Sequence, residues 1–198
     1  MPFNFKSFFN NALPYDQLLQ QCANSEQRLR WQNLYDSAVL TPQQKSLLQG
    51  FRRKMNVLCL VGVWCGDCVN ACPIFQRFAE FTDTIGLRFV NREQKFDPAG
   101  ADAETQLANE LSICGGPRVP VLVFLSQDGF ECQRFGERTL ATYRSRVAAM
   151  QGASCSTGLF GPPADLLQAN IAEWLTHFER VQLMLQTSPR LIRLNGEV

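Results

Sequence analysis

Residues 57–63 form an unbroken apolar run, Val-Leu-Cys-Leu-Val-Gly-Val, that leads directly into Trp64 and Cys65. A valine-rich run with no polar alternation is typical of a strand that is buried on both faces of a sheet. After Cys65, apolar residues recur at helical spacing, at Val69, Cys72, Phe75 and Phe78, and this helix is expected to continue until Gly86. The sequence therefore predicts a central strand that passes straight into a helix at Cys65.

Further strands and helices are expected to surround this strand. They are strands at residues 87–90, 121–125 and 130–135, and helices at residues 103–111 and 140–150. The pair Asp128-Gly129 separates the last two strands, which is a typical hairpin signal. The order β-α-β-α-β-β-α across residues 56–150 predicts a three-layer α/β domain.

Helical segments are expected on both sides of this domain. Residues 1–55 are interpreted as an N-terminal helical extension, in which Thr41-Pro42 followed by Gln44 is a helix start. The helix before it is expected to bury the apolar positions Leu29, Trp31, Leu34, Tyr35 and Ala38. Residues 151–198 are interpreted as a Gly-, Ser- and Pro-rich loop followed by a helix at about 164–187. The apolar stripe of that helix is too short for a coiled coil, so we expect it to pack on the same domain.

Composition and charge exclude several classes of protein. With 45% hydrophobic residues the chain is long and apolar enough to bury a core, and its net charge of +1 gives no general attraction to nucleic acid or anionic membranes. The longest apolar run is far shorter than a membrane-spanning helix. Residues 1–11 lack the continuous apolar stretch of a secretory leader, so a cytoplasmic location is expected.

The 8 cysteines are about 4% of the chain, below the roughly 8–10% of small disulfide-stapled scaffolds, and they are unevenly spaced. Such clustering in a reducing compartment indicates redox or metal chemistry. Cys65 is predicted to lie at a helix N-terminus, where unpaired N–H groups and the helix dipole lower a thiol pKa from about 8.5 to roughly 3.5–7.5. Cys65 is therefore the predicted nucleophile, and Cys68 is the predicted resolving thiol. The Asp67 carboxylate is expected to oppose ionisation of Cys65.

Four motifs in this order resemble the thioredoxin superfamily: Trp64-Cys65-Gly66-Asp67-Cys68, then Pro73, Val119-Pro120 and Gly136. The resemblance covers residues 56–150, and the helical ends are similar to those of extended bacterial members. It implies a three-layer fold with a central mixed sheet and helices on both faces. It also implies a cis Val119–Pro120 peptide bond that faces the two cysteines and offers backbone groups to a substrate.

The resemblance also implies a function. The expected activity is reduction of protein disulfides by dithiol exchange, with no bound cofactor or metal and with an external reductant such as thioredoxin reductase or glutathione. The expected catalytic residues are Cys65 and Cys68. The expected substrate-binding residues are Trp64, Gly66, Asp67, Arg118, Val119 and Pro120.

Two positions depart from the family pattern. Cys59 stands where thioredoxins have a buried acidic residue that accepts the proton of the resolving thiol. Arg118 lies in the loop before Pro120, where its cation is expected to offset Asp67 or to select acidic partners.

Other interpretations of the same residues remain open at this stage. Cys65, Cys68 and Cys72-Pro73 also match part of a ferredoxin cluster motif, although the first cysteine of that motif is replaced by Gly62. Cys72 is either a core residue or a partner in an off-pathway disulfide, and Cys114 is a candidate third redox thiol. The single histidine, His177, is expected on the surface of the C-terminal helix or in a polar contact. The alternative function is a redox-sensing binding module without sustained turnover.

Overall fold

The computed structural model describes residues 3–92, 103–150 and 161–196. Its sheet has the strand order β2-β1-β3-β4, in which β1 pairs in parallel with β2 and antiparallel with β3. The strands are β1 (Met55–Val61), β2 (Ile85–Asn91), β3 (Val121–Ser126) and β4 (Glu131–Gly136). The expected mixed central sheet is thus confirmed, and its central strand is the one predicted from the apolar run.

Helices precede, connect and follow the strands. In chain order they are α1 (Phe5–Asn11), α2 (Tyr15–Cys22), α3 (Ser25–Ser37), α4 (Pro42–Gln49), α5 (Gly66–Glu80), α6 (Ala103–Glu110), α7 (Leu140–Met150), α8 (Ala164–Gln186) and α9 (Pro189–Leu194). Capping boxes begin α3 at Asn24 and α4 at Thr41, the second as the sequence predicted. The short helices α1 and α9 were not predicted.

Each face of the sheet is covered by helices. On the face that carries Phe124, the ring of Phe178 from α8 lies 5.0 Å from that of Phe124 and 5.2 Å from that of Phe78 in α5. On the opposite face, Arg134 of β4 contacts the Phe5 ring of α1 and the Glu110 carboxylate of α6. This arrangement is the expected three-layer fold.

The apolar stripe of α8 faces the rest of the chain, as its pattern predicted. All of its members are buried: Leu167, Ile171, Trp174, Phe178, Val181 and Leu185. The helix contacts α4, α5, β1 and β4. Part of the loop predicted at 151–163, including Cys155, lies outside the described residues.

Some boundaries and burial expectations differ from the sequence analysis. Helix α5 ends at Glu80, well before Gly86, and β2 begins already at Ile85. The Thr82 hydroxyl accepts the backbone N–H of Thr84, so a side-chain-stabilised turn occupies the intervening residues. Leu29, interpreted as a buried position of α3, is 61% exposed, whereas Trp31 is fully buried.

No helix within residues 3–92, 103–150 and 161–196 has both the length and the apolar character needed to cross a bilayer.

Gln182 of α8 fixes the chain that enters β1. It is 1% exposed, its Oε1 accepts the N–H groups of Arg52 and Arg53, and its Nε2 donates to the Arg53 carbonyl at 2.9 Å. Because a buried group left without a partner costs about 1–3 kcal/mol, we expect Gln182→Leu to lower the free energy of unfolding by about 2–4 kcal/mol, measured by urea denaturation.

A matched control lies on the same helix. Gln168 also donates to a backbone carbonyl, that of Val39 at 3.3 Å, but it is exposed and water replaces the bond. Gln168→Leu is therefore expected to change stability by less than about 0.5 kcal/mol. Equal effects of the two substitutions would contradict the role given to Gln182.

Candidate active site

The two cysteines of the predicted motif lie where β1 gives way to α5. Cys65 is the N-cap of α5, with φ −78° and ψ 125°, and its carbonyl accepts the N–H of Val69 at 3.0 Å. Cys68 lies one turn inside the helix. The Cys65 side chain is partly exposed and Cys68 is fully buried. A molecule in solution therefore reaches Cys65 and not Cys68.

The two thiols share a hydrogen bond, so they titrate as a pair. Burial works to raise the pKa of Cys68, but hydrogen bonds from the Cys65 and Cys72 thiols and from the Gly62 N–H, at 3.4 Å, lower it to about 5. The same Cys65–Cys68 hydrogen bond, together with burial, raises the pKa of Cys65. The pair therefore holds one negative charge readily and opposes a second.

These pKa shifts, raised for Cys65 and lowered for Cys68, differ from the expectation that the helix N-terminus lowers the pKa of Cys65. The expected contribution is present, because the backbone N–H groups of Asp67 and Cys68 act to lower that pKa. It is outweighed by the interaction of the Cys65 thiol with Cys68 and by burial, both of which favour the protonated form of Cys65. A Cys65 thiolate, once formed, is stabilised by the helix N-terminus.

The Val119–Pro120 loop faces the cysteines. The peptide bond between the two residues is cis, and the carbonyl oxygen of Val119 lies 3.7 Å from the Cys65 sulfur. Gly136 allows this loop to approach β4, because a Cβ there would come within 2.7 Å of the Pro120 carbonyl oxygen. The Arg92 guanidinium donates to the Pro117 carbonyl at 3.1 Å and ties the loop to the end of β2.

The turn that carries the motif is fixed by a residue far away in the sequence. The buried Trp31 indole of α3 donates to the Val63 carbonyl at 3.0 Å. Trp64 is 43% exposed, and its ring packs so closely over Gly62 that a Cβ at Gly62 would lie 3.0 Å from it. Trp64 and the exposed Gly66 thus form an open surface beside Cys65.

The Asp67 carboxylate is paired with arginines of the segment around α7. Arg138 donates to it at 2.5 Å and Arg146 at 2.9 Å. Arg118, expected either to offset Asp67 or to select acidic partners, pairs with neither of the Asp67 oxygens; its guanidinium lies 3.7 Å from the buried Glu137 carboxylate. Two cations therefore neutralise the charge that was expected to oppose ionisation of Cys65.

Sequence reasoning missed Arg138, Arg146 and Glu137 as members of the site. Glu137 is 5% exposed and accepts hydrogen bonds from Arg138 at 2.7 Å and from the Tyr143 hydroxyl at 3.0 Å. Only Gly136, directly before them, was singled out. No local pattern links residues separated from Asp67 by about seventy positions, and the contact exists only after β4 has returned beside β3.

The remaining singled-out residues lie apart from the pair or beneath it. Cys114 is exposed in a turn closed by hydrogen bonds between Ile113 and Gly116. His177 stacks on the Phe135 ring with centroids 3.4 Å apart, and burial lowers the pKa of its imidazole. Cys59 is fully buried under the helix. Among the described residues, no group of three or more His, Cys, Asp or Glu side chains is arranged to hold a metal ion.

Comparison with known proteins identifies one sequence family. The family model described as thioredoxin matches residues 14–145, so the match begins within the N-terminal helices rather than at residue 56. No curated protein sequence matches the chain.

Several solved structures are similar. A protein of unknown function from Pseudomonas aeruginosa aligns over 90% of this chain and 99% of its own, with 16% identity and a TM-score of 0.66. An HIV epitope scaffold aligns over 87% of this chain and 98% of its own, with 15% identity and a TM-score of 0.61. Fasciola hepatica thioredoxin aligns over 52% of this chain and 86% of its own, with 21% identity and a TM-score of 0.33. At such low sequence identity, the first two structures show that this chain shares their overall fold, and nothing more.

The ion pairs of Asp67 predict opposite effects of two substitutions on the thiol pair. The Asp67 carboxylate acts to raise the pKa of Cys68, and Arg138 counteracts it. We expect Asp67→Asn to lower the apparent pKa of the first thiol to ionise and Arg138→Met to raise it, each by up to about one unit. Thiolate absorbance as a function of pH measures both shifts.

The double variant Asp67→Asn/Arg138→Met tests whether Asp67 carries the effect. With the carboxylate absent, loss of the Arg138 cation is expected to shift the thiol pKa by less than half as much as in the single variant. Arg134→Met is the control, because Arg134 pairs with Glu110 and Glu131 at 2.7 and 2.5 Å instead. An undiminished shift in the double variant would show that Asp67 is not the intermediary.

Proposed function

Since this chain belongs to the thioredoxin family, we propose that it is a thiol–disulfide oxidoreductase that reduces disulfide bonds of proteins. The observation that carries the proposal is the pairing of one accessible and one buried thiol at the start of α5, beside the Val119 carbonyl. The accessible sulfur meets a substrate, and the buried sulfur is already in contact with it. This division supports Cys65 as the nucleophile and Cys68 as the resolving thiol.

In the first step, the proton of Cys65 passes along the shared hydrogen bond to Cys68. The Cys65 thiolate, facing the N–H groups of Asp67 and Cys68, attacks one sulfur of the substrate disulfide. A bond forms between Cys65 and that sulfur, and the other substrate sulfur leaves as a thiolate and takes up a proton. The product is a mixed disulfide between Cys65 and the substrate.

In the second step, Cys68 attacks the Cys65 sulfur. Cys68 gives up the proton that it received in the first step, and the backbone N–H of Gly62, 3.4 Å from its sulfur, stabilises the resulting thiolate. The Cys65–Cys68 disulfide forms, and the second substrate sulfur leaves and is protonated. The substrate has gained two electrons, which an external reductant must restore to the pair; thioredoxin reductase or glutathione would supply them.

The surface around Cys65 supports an extended protein segment as the substrate. The exposed Trp64 ring and Gly66 lie on one side, and the Val119–Pro120 backbone lies on the other. Arg118, with 48% of its side chain exposed, adds a cation at the rim. We therefore propose disulfide-containing protein partners, not nucleic acid or membranes, and a reducing compartment such as the cytoplasm.

One observation favours a second candidate, a redox-sensing binding module. No residue of α7 is buried, and its apolar side chains Leu140, Tyr143, Val147 and Met150 form an exposed stripe on the helix that also provides Arg146 to Asp67. A sensor of this kind would be oxidised once and would then change its affinity for a partner. Sustained turnover with dithiothreitol as the reductant favours the enzyme, and a single oxidation favours the sensor.

Substitution of each cysteine predicts a different outcome in insulin disulfide reduction. We expect Cys65→Ser to reduce the rate to the background of dithiothreitol alone, because no other thiol of the pair is accessible. Cys68→Ser is expected to accumulate a covalent mixed disulfide with the substrate at Cys65, detected by mass spectrometry, because the resolving attack is lost.

The control is Cys132→Ser, which removes a partly exposed thiol of β4 that donates to the Phe130 carbonyl, away from the pair. This variant is expected to retain the full rate. Retention of the full rate by Cys65→Ser would disprove the assignment of the nucleophile.

A further inference from the structure

Two more cysteines lie directly beneath the active-site pair. Cys72 is on α5, one helical turn beyond Cys68, and Cys59 is on β1 below the helix. Both have 0% of their surface exposed, as does Cys68. The strand and the helix that meet at the active site therefore enclose three buried thiols under one accessible thiol, that of Cys65.

The four sulfurs form a continuous chain of contacts. The Cys68 thiol is in hydrogen-bond contact with both Cys65 and Cys72, and Cys72 is in turn in contact with Cys59. Each neighbouring pair is thus close enough to interact directly. Disulfide exchange needs only that an attacking sulfur reach a sulfur of an existing disulfide, and this chain provides one neighbour for each such step.

We propose that Cys59 and Cys72 are a second dithiol, which takes over the disulfide from Cys65 and Cys68 and so allows one molecule to reduce two substrate disulfides before it meets a reductant. The inference rests on the proposed function in one respect: the oxidant that forms the first disulfide is a substrate disulfide. It assigns a redox role to two buried residues that the proposed catalytic cycle does not use.

The first internal step moves the disulfide one turn along α5. Cys72 gives up its proton and its sulfur attacks the Cys68 sulfur of the Cys65–Cys68 disulfide. The Cys68–Cys72 bond forms and the Cys65–Cys68 bond breaks. Cys65 leaves as a thiolate at the helix N-terminus and takes up one proton, so no electrons enter or leave the protein.

The second internal step moves the disulfide from the helix to the strand beneath it. Cys59 gives up its proton and its sulfur attacks Cys72. The Cys59–Cys72 bond forms, the Cys68–Cys72 bond breaks, and Cys68 leaves as a thiolate and takes up a proton. Cys65 and Cys68 are again a dithiol, ready to reduce a second substrate disulfide.

Burial sets the relative rates of the two oxidations. Because only thiolates attack disulfides, and burial raises the pKa of both Cys59 and Cys72, the internal transfer is slower than the reaction at Cys65. The protein is therefore expected to be oxidised in two phases, a fast loss of two thiols followed by a slower loss of two more.

The test counts thiols in the full-length chain with Cys22, Cys114, Cys132 and Cys155 replaced by Ser. The reduced protein is freed of reductant and treated with excess hydroxyethyl disulfide, quenched with acid at intervals, unfolded, and labelled with one alkylating reagent before reduction and a second one after it. Cys59, Cys65, Cys68 and Cys72 all lie in one tryptic peptide, residues 55–77, so tandem mass spectrometry of one peptide reads all four positions. The proposal expects all four thiols to be lost and Cys59 to be linked to Cys72.

Two variants test the route. Cys72→Ala is expected to lose only the two thiols of Cys65 and Cys68, which halves the capacity, and to leave Cys59 reduced. Cys65→Ser is expected to keep Cys59 and Cys72 reduced, because the accessible thiol through which the disulfide enters is missing. Formation of the Cys59–Cys72 disulfide at the parent rate in Cys65→Ser would overturn the route.

The chain that carries only the four Ser replacements decides the main claim, even if the Cys72→Ala or Cys65→Ser substitution makes it unstable. If exhaustive oxidation links Cys65 to Cys68 and leaves Cys59 and Cys72 reduced, the two buried residues are core cysteines and the proposal is wrong, while the proposed function stands. If Cys65 and Cys68 form no disulfide at all, the proposed function itself fails. The two failures thus give different labelling patterns.

Discussion

The passage from β1 into α5 is the constraint on which the other features of the site depend. Strand β1 is paired on both sides and buried, so its direction and depth are fixed by β2 and β3. Only residues 62–64 separate it from the Cys65 N-cap, and Trp31 holds that turn through the Val63 carbonyl. Because the helix begins so soon after a central strand, its first N–H groups, and the cysteine beside them, lie at the carboxyl end of β1.

The same arrangement places the two thiols of the proposed redox pair in different surroundings. Because α5 runs back over β1, its inward face brings Cys68 and Cys72 over the strand position held by Cys59, while its first residue stays at the surface. As a result, the Cys65 sulfur is accessible to solvent, whereas the neighbouring buried Cys68 sulfur has the lowered pKa. Arg138 and Arg146, from the segment that follows β4, offset the charge of Asp67, which acts to raise the pKa of Cys68.

Features that depend on neighbouring residues in the chain were predictable. The apolar run, the capping residue Thr41, the Asp128-Gly129 turn and the stripe of α8 each act within a few residues, and each is found in the structure as expected. Expectations that depended on distant partners fared less well. Leu29 has an apolar side chain but is exposed, and Arg118, expected to offset Asp67 or to select acidic partners, lies beside Glu137 once the sheet has formed.

The sequence by itself determined that a buried strand leads into a helix that starts at Cys65, with Cys68 one turn later, because hydrophobic periodicity and capping are local properties of the chain. Only the tertiary structure decided which charges surround Asp67, how the proton is shared between the two thiols, and that Cys59 lies against Cys72. These depend on distances between residues that are far apart in the sequence, which sheet pairing and helix packing set together.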